Sequence, residues 1–364
     1  MQLIFHFDLD LQHVCDAHDD AAVAFHEHLP IDDPASLLDV TVDVPTVSGH
    51  DILVRVEAVS VNPIDCTLRA SSDFYKTFAP ANSRHILGYD AAGVVVAVGS
   101  DATLFQVGDQ VYYAGSIARE GTNAQYHAVD ERLVGRKPTS LSFTDAASLP
   151  LTAITAYESL FHRLHVPEKS PIQFNKSVLV LNGAGGVGSV AIQLLKELTD
   201  LTVIATASRP ESTAWVKELG VDHVVNHRAQ DMPSQLVDIG IPQVDYILVY
   251  TELPPHFDAI AEMIKPQGSI AAILPVTDNL PFQQLFEKSV TFEWELMFTR
   301  AKFGTNDMVE QHRLLNHVRA LVDAKRVRST VGETLGPINA ANLRKAHAIL
   351  ESRRAVGKLV LTGF

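Results

Sequence analysis

The chain has 364 residues, 46% hydrophobic and 20% charged, which suits a globular protein of two to three domains with a sizeable core. Its net charge of −14 excludes a basic phosphate-backbone surface and so a nucleic-acid partner, and its two cysteines, Cys15 and Cys66, exclude a disulfide framework or a structural thiolate zinc lobe. No stretch reaches the roughly 18 to 20 apolar residues that span a bilayer, and the opening segment lacks a basic region followed by an apolar one, so no membrane partner and a cytoplasmic protein are expected.

The first thirty residues carry histidines at irregular spacing, among them His6, His13, His18, His26 and His28, and read as a β-hairpin or a loose start. Ile52–Val59, Ala91–Val98 before Gly99, and Val107–Tyr113 then read as short strands broken by turns, an antiparallel or barrel-like module. From Pro150 the character changes. The apolar runs Val178–Leu181, Thr202–Ala205, His223–Val225, Val244–Val249, Ser269–Leu274 and Val290–Phe298 are separated by helical patterns, as in a doubly wound parallel sheet. Pro210 opens a helix that Gly220 ends, and a helix over His256–Ile264 stops before Lys265-Pro-Gln-Gly268. A helix near Asp307–Ala324, a strand at Val331–Leu335, another helix and a strand at Gly357–Thr362 return to β-module material. The expected division is therefore 1–149 with 304–364, and 150–303.

GAGGVG at Gly183–Gly188 lies between the run Val178–Leu181 and the helical pattern Val187, Val190, Ala191, Leu194, Leu195, Leu198. Strand, tight turn and helix in that order are the context of a dinucleotide-binding loop. Gly183, Gly185, Gly186, Val187 and Gly188 would bring backbone N–H groups of a helix N-terminus to a pyrophosphate. About 25 residues after Gly183, an NAD site carries an acid for the ribose 2′-hydroxyl. Ser208 and Arg209 stand there instead, a hydroxyl and a guanidinium fork suited to a 2′-phosphate, which favours NADP(H) over NAD(H); the alternative for Arg209 is a solvated surface arginine.

Five segments in order, VSVNPID at Val59–Asp65, LGYDAAGVVVAVG at Leu87–Gly99, VGDQVYY at Val107–Tyr113, LPLTAITAYESL at Leu149–Leu160 and LNGAGGVGSVAIQLLK at Leu181–Lys196, resemble the medium-chain dehydrogenase/reductase superfamily and its zinc-independent quinone oxidoreductase branch. The resemblance implies an α/β protein: a GroES-like β-barrel catalytic domain and a Rossmann domain with a doubly wound parallel sheet. In the zinc alcohol dehydrogenases of the superfamily a Cys fills the place of Asn62, a His that of Tyr89, and a third ligand comes from around Leu149–Leu151. Asn, Tyr and Leu are not zinc ligands, so no metal is expected there.

The resemblance further implies Asn62 near the nicotinamide or the substrate carbonyl, Asp65 as a supporting residue, and the phenols of Tyr75 and Tyr89 as donors to an acceptor oxygen. It assigns Thr155 to the nicotinamide ribose or phosphate, His227 to the adenine, and Thr251, Leu274 and Lys358 to the remaining cofactor contacts. Without a Lewis acid, hydride transfer to an activated acceptor, a quinone or an α,β-unsaturated carbonyl, fits better than oxidation of a simple alcohol. An alcohol or aldehyde dehydrogenase and a non-catalytic NADPH-binding redox sensor are the rival classes. The run Val290–Phe298 occupies a sheet edge of the kind through which a homodimer would form.

Overall fold

The computed structural model describes residues 19–71, 84–169, 175–229 and 231–364. They divide into two compact units, Met1–Leu151 with Phe298–Asp323 and Val331–Phe364, and Thr152–Met297 with Ala324–Thr330. Both crossings differ by a few residues from the expected ones. The return of Ala324–Thr330 to the second unit has a local cause: Arg328 N donates to Gln193 Oε1 at 2.8 Å, its guanidinium lies 4.9 Å from the Trp215 ring, and Arg326 pairs with Glu197.

The first unit is GroES-like. Strand β1 (Asp19–Phe25) pairs antiparallel with β2 (Leu38–Asp43) and with the short β4 (His85–Ile86), both of them beyond the first thirty residues. The histidines before residue 19 lie outside the described residues. A larger sheet is built on β3 (Asp51–Val61), eleven residues long. β5 (Ala91–Val98) takes one side of it. The other side is shared: β7 (Tyr126–Asp130) pairs with its first half, and β16 (Lys358–Thr362) with its second. β6 (Gln110–Tyr113) and β8 (Val134–Arg136) extend the sheet beyond β5, and β15 (Val331–Thr334) extends it beyond β16. β6 starts later than the pattern suggested because Gly108, at φ 93°, turns the chain.

The second unit is a six-stranded parallel Rossmann sheet in the order β11-β10-β9-β12-β13-β14. Its strands are β9 (Ser177–Leu181), β10 (Thr202–Thr206), β11 (His223–Val225), β12 (Val244–Val249), β13 (Ile264–Ala272) and β14 (Thr291–Trp294). β9 is buried at every residue, as a central strand covered on both faces must be. Two readings need correction. β13 begins at Ile264 rather than Ser269, because Lys265-Pro-Gln-Gly268 forms an irregularity between the pairs Val244–Ile264 and Tyr246–Ser269. β14 stops at Trp294 because the next residue, Glu295, turns its carboxylate inward to Arg163 Nε at 2.8 Å. Among the described residues no helix is long and apolar enough to cross a membrane.

Candidate functional site

In the second unit the parallel register aligns the strand ends. Leu181 stands opposite Val249, Val249 opposite Ala272, Val180 opposite Ala205, and Thr206 opposite Val225. Each loop that follows leaves on the same edge, so Gly183–Gly188, Ser208, Arg209, His227, Thr251 and Leu274 are gathered there from five separate strands. The strand order reverses between β9 and β12, the point at which open α/β sheets bind ligands.

Gly185 caps the helix Gly186–Leu198 with extended backbone, and Ser189 N donates to Gly185 O at 2.9 Å. The N–H groups of Gly186, Val187 and Gly188 therefore stand at the open end of the helix without an intrahelical acceptor, where they suit an anion. The glycines have different reasons. A Cβ on Gly188 would lie 2.4 Å from Asn182 O, and one on Gly183 would lie 2.7 Å from Ala205 Cβ, so both allow helix and strands to approach closely. Sequence reasoning missed Asn182, whose left-handed φ of 62° sets the turn. Its N–H donates to Thr206 Oγ1 at 2.9 Å and its amide to Tyr250 O at 3.0 Å, tying together the ends of β9, β10 and β12.

Gly183 N donates to Thr206 O at 3.2 Å, so the exit of β10 lies against the glycine turn. Ser208 there is partly exposed, and Arg209 caps the helix Pro210–Glu218 through Ser212. Arg209 Nε also donates to Glu211 Oε1 at 2.7 Å, so any anion held by Arg209 shares it with that carboxylate. His227 is exposed, its ring 6.3 Å from that of His256. Thr155 is buried in the helix Pro150–Tyr157, its carbonyl accepting from Ser159 Oγ at 2.6 Å.

Of the expected catalytic residues, Asn62, Asp65 and Tyr89 lie in the first unit around Asp90, a residue the sequence reading passed over. Asp90 is fully buried. Its Oδ2 accepts from Asn62 Nδ2 at 2.8 Å, Ser60 Oγ at 3.0 Å and Lys358 Nζ at 3.0 Å, and its Oδ1 from Leu151 N at 2.7 Å. Lys358 Nζ donates as well to Val61 O at 3.0 Å and to Asn62 Oδ1. Three acceptors lie within reach of the three ammonium protons, so the Lys358 ammonium is fully matched inside the first unit. Asn62 belongs to the same network, its amide protons facing Asp90 Oδ2, Tyr89 O and Ser60 O.

Asp65 is the support it was expected to be. Its two oxygens accept from Asn62 N at 2.7 Å and Gly88 N at 3.0 Å, fixing the start of the helix Pro63–Ala70 against the turn before Tyr89. Burial raises its carboxyl to about 7 against the lowering pull of these N–H groups and Lys358. Burial likewise raises Asp90, opposed chiefly by Lys358. Tyr89 is buried, its ring edge-on to Phe298 at 5.2 Å. Tyr75 lies outside the described residues.

The donor set at the expected zinc position does not fit a metal. Asn62 is committed to Asp90 and Lys358, Tyr89 offers a phenol among apolar neighbours, and Leu149 and Leu151 have no side-chain ligand atom. No metal-dependent step is derived through those positions.

Residues 48–139 match the alcohol dehydrogenase GroES-like domain and residues 219–361 the zinc-binding dehydrogenase model. A zinc-type alcohol dehydrogenase-like protein of Staphylococcus aureus is 41% identical over 87% of this chain and 92% of its own. The NADPH-dependent alkenal/one oxidoreductase of Arabidopsis thaliana is 30% identical over 89% of this chain and 75% of its own. Among solved structures, a protein from Rhizobium etli described as a zinc-dependent alcohol dehydrogenase superposes with a TM-score of 0.89 at 48% identity, covering 95% of this chain and 98% of the other. The quinone oxidoreductase of Coxiella burnetii superposes at 0.79 with 27% identity over 95% and 100%.

Proposed function

The chain belongs to the medium-chain dehydrogenase/reductase superfamily, and on that premise we propose that it is an NADPH-dependent reductase of quinones or α,β-unsaturated carbonyl compounds that needs no catalytic zinc. The observation that carries the reading is the loop after β10, a strand whose Thr206 O accepts from Gly183 N of the glycine turn: that loop carries Ser208 and Arg209, and no acid occupies the same two positions. The related Arabidopsis oxidoreductase, which takes NADPH and an alkenal or alkenone, and the Coxiella quinone oxidoreductase support the acceptor class.

The N–H groups of Gly186, Val187 and Gly188 would hold the pyrophosphate, Ser208 and Arg209 the 2′-phosphate, and Thr155, His227, Thr251 and Leu274 the nicotinamide and adenine ends. NADPH so bound supplies hydride, two electrons to an electrophilic carbon of the acceptor. The acceptor's oxygen then gains negative charge and needs a hydrogen-bond donor and one proton, which the phenols of Tyr75 or Tyr89, or water, would deliver. Asn62, Asp65, Asp90 and Lys358 hold the turn before Tyr89 rigid without touching the acceptor.

The sheet edge supports a homodimer. Among the described residues β14 pairs with β13 alone, and Trp294 at its end and Leu296 just after it are exposed large apolar side chains. Sedimentation at two ionic strengths would give twice the chain mass; a monomer with an apolar edge would refute the pairing.

The deciding experiment is NADPH oxidation by purified protein with one quinone and one enone, with and without chelator. Turnover that survives chelation supports the reductase. Loss of turnover on chelation favours the metal-dependent alcohol dehydrogenase, and cofactor binding with no turnover on any acceptor favours the redox sensor.

A further inference from the structure

We propose that Cys66, His347 and Glu351 form a second, non-catalytic metal site in the GroES-like unit, for a borderline-soft divalent cation such as Zn²⁺. The helix Ala340–Glu351 carries His347 and Glu351 one turn apart, at i and i+4, so both side chains lie on one face. The helix Pro63–Ala70 brings Cys66 to that face, its thiol donating to His347 O at 3.8 Å. One potential ligand atom from each of the three lies within 4.8 Å of the others.

The observation that calls for a ligand is His347. It is completely buried, and among the described residues neither ring nitrogen has a hydrogen-bond partner. A buried imidazole with both nitrogens unmatched loses its hydration and gains nothing in return, a cost native interiors rarely carry without an ion or water to meet it. Burial disfavours the charged form of both groups, holding the His347 ring neutral and the Cys66 thiol protonated in the metal-free chain.

Thiolate, imidazole and carboxylate together match Zn²⁺, whereas Mg²⁺ and Ca²⁺ favour oxygen alone. Bonds of about 2.0 to 2.3 Å in a tetrahedron put ligand atoms roughly 3.3 to 3.8 Å apart. The three side chains therefore close by about an ångström, a matter of side-chain rotation. On binding, the Cys66 thiol proton leaves to solvent and the sulfur pair forms the metal bond; nothing is oxidised or reduced. Arg69 pairs with one Glu351 oxygen, Oε1, and leaves Oε2 for the cation. Glu351 also borders an open pocket of about 440 Å³ shared with His28, Asp32 and Arg69, from which a water can take the fourth position.

Zinc, and Co²⁺ as its spectroscopic substitute, should bind the full-length metal-free protein with one equivalent at this site. Cobalt should show the visible bands of a tetrahedral ion and a near-ultraviolet thiolate charge-transfer band. The chain has only two cysteines, so the band assigns itself: it survives Cys15→Ala and disappears in Cys66→Ala. His347→Gln and Glu351→Gln should each weaken Co²⁺ at least about tenfold. Absence of the band in the parent protein, its survival in Cys66→Ala, or its loss in Cys15→Ala would overturn the site. If Cys66→Ala does not fold, as judged by circular dichroism, Glu351→Gln at the partly exposed helix end decides, and unchanged cobalt affinity there refutes the proposal. None of these readouts uses turnover, so the outcome is independent of the reductase reading.

Discussion

Replacing Lys358 by Met tests the buried cluster directly. Both partners are sequestered, with side-chain exposures of 4% for Lys358 and 0% for Asp90, and their charged atoms are 3.0 Å apart. Met fills much the same volume and deletes the charge, leaving the Asp90 carboxylate without its cation. Breaking one side of such a pair costs about 3 to 5 kcal/mol. The carboxyl has one escape, to take up a proton. Against an unfolded value near 3.9, holding a proton costs about 1.4 kcal/mol per pH unit, hence roughly 5 to 6 kcal/mol at pH 8 and about 1.5 kcal/mol at pH 5. The charge penalty in Lys358→Met should thus be nearly complete at pH 8 and shrink to about 1.5 kcal/mol or less at pH 5. The direction follows from linkage: a carboxyl raised in the folded state penalises folding as pH climbs above its unfolded value, and the penalty is relieved as pH falls. Unfolding of parent and variant in urea at both pH values measures it, with the gap narrowing by about 2 kcal/mol or more at pH 5. Adding Asp90→Asn should recover part of the loss at pH 8, and the KM for NADPH should stay unchanged in the folded variant. A loss below about 1 kcal/mol at pH 8, or one equal at the two pH values, would refute the ion-pair reasoning.

Gly188→Ala puts a methyl 2.4 Å from Asn182 O and 2.8 Å from Gly183 Cα, backbone on both sides, so it should cost about 1 to 3 kcal/mol and weaken NADPH binding; isothermal titration with an unaltered affinity would exclude the glycine turn as the phosphate cradle. Arg209→Ala should raise the KM for NADPH about 10- to 100-fold and leave that for NADH nearly unchanged, and equal effects on both would remove the 2′-phosphate clamp. His127 Nε2 donates to Glu120 O at 3.0 Å and its Nδ1 accepts from Tyr113 Oη at 3.1 Å, and burial first of all pushes it down to about 4. Stability from its neutral form is intact above about pH 6.5 and lost as pH falls towards 4, about 3 kcal/mol in all; His127→Gln should flatten that limb of an acid-unfolding curve, and an unchanged limb would show that other groups dominate.

The parallel sheet was legible because its signal is local. A central strand such as β9 must be apolar on both faces, and the turn after it must be glycine where Gly183 and Gly188 touch neighbouring backbone or Cβ atoms. Boundaries failed where a single side chain or an irregular turn overrode the pattern, as Glu295 does at the end of β14 and Pro266 with Gly268 inside β13. The glycine turn, Ser208, Arg209, His227, Thr251 and Leu274 share an edge for the same reason as the strands are legible, since each follows a strand end and parallel register aligns those ends, whereas Thr155 lies in the helix Pro150–Tyr157.

The first unit's cluster was not legible, and the reason is distance along the chain. Asp90 meets Lys358 across 268 residues and Cys66 meets His347 across 281, so neither pair leaves a mark in any window of sequence. A resemblance can carry a residue's position across but not the partner that uses up its hydrogen bonds. Asn62 and Lys358 were therefore expected at the ligands, although a buried amide and ammonium are claimed first by the nearest buried carboxylate. Once Asp90 is burdened with four donors, its cost of burial is met inside the protein, and Lys358→Met distinguishes that role from a cofactor contact because only the internal role changes with pH.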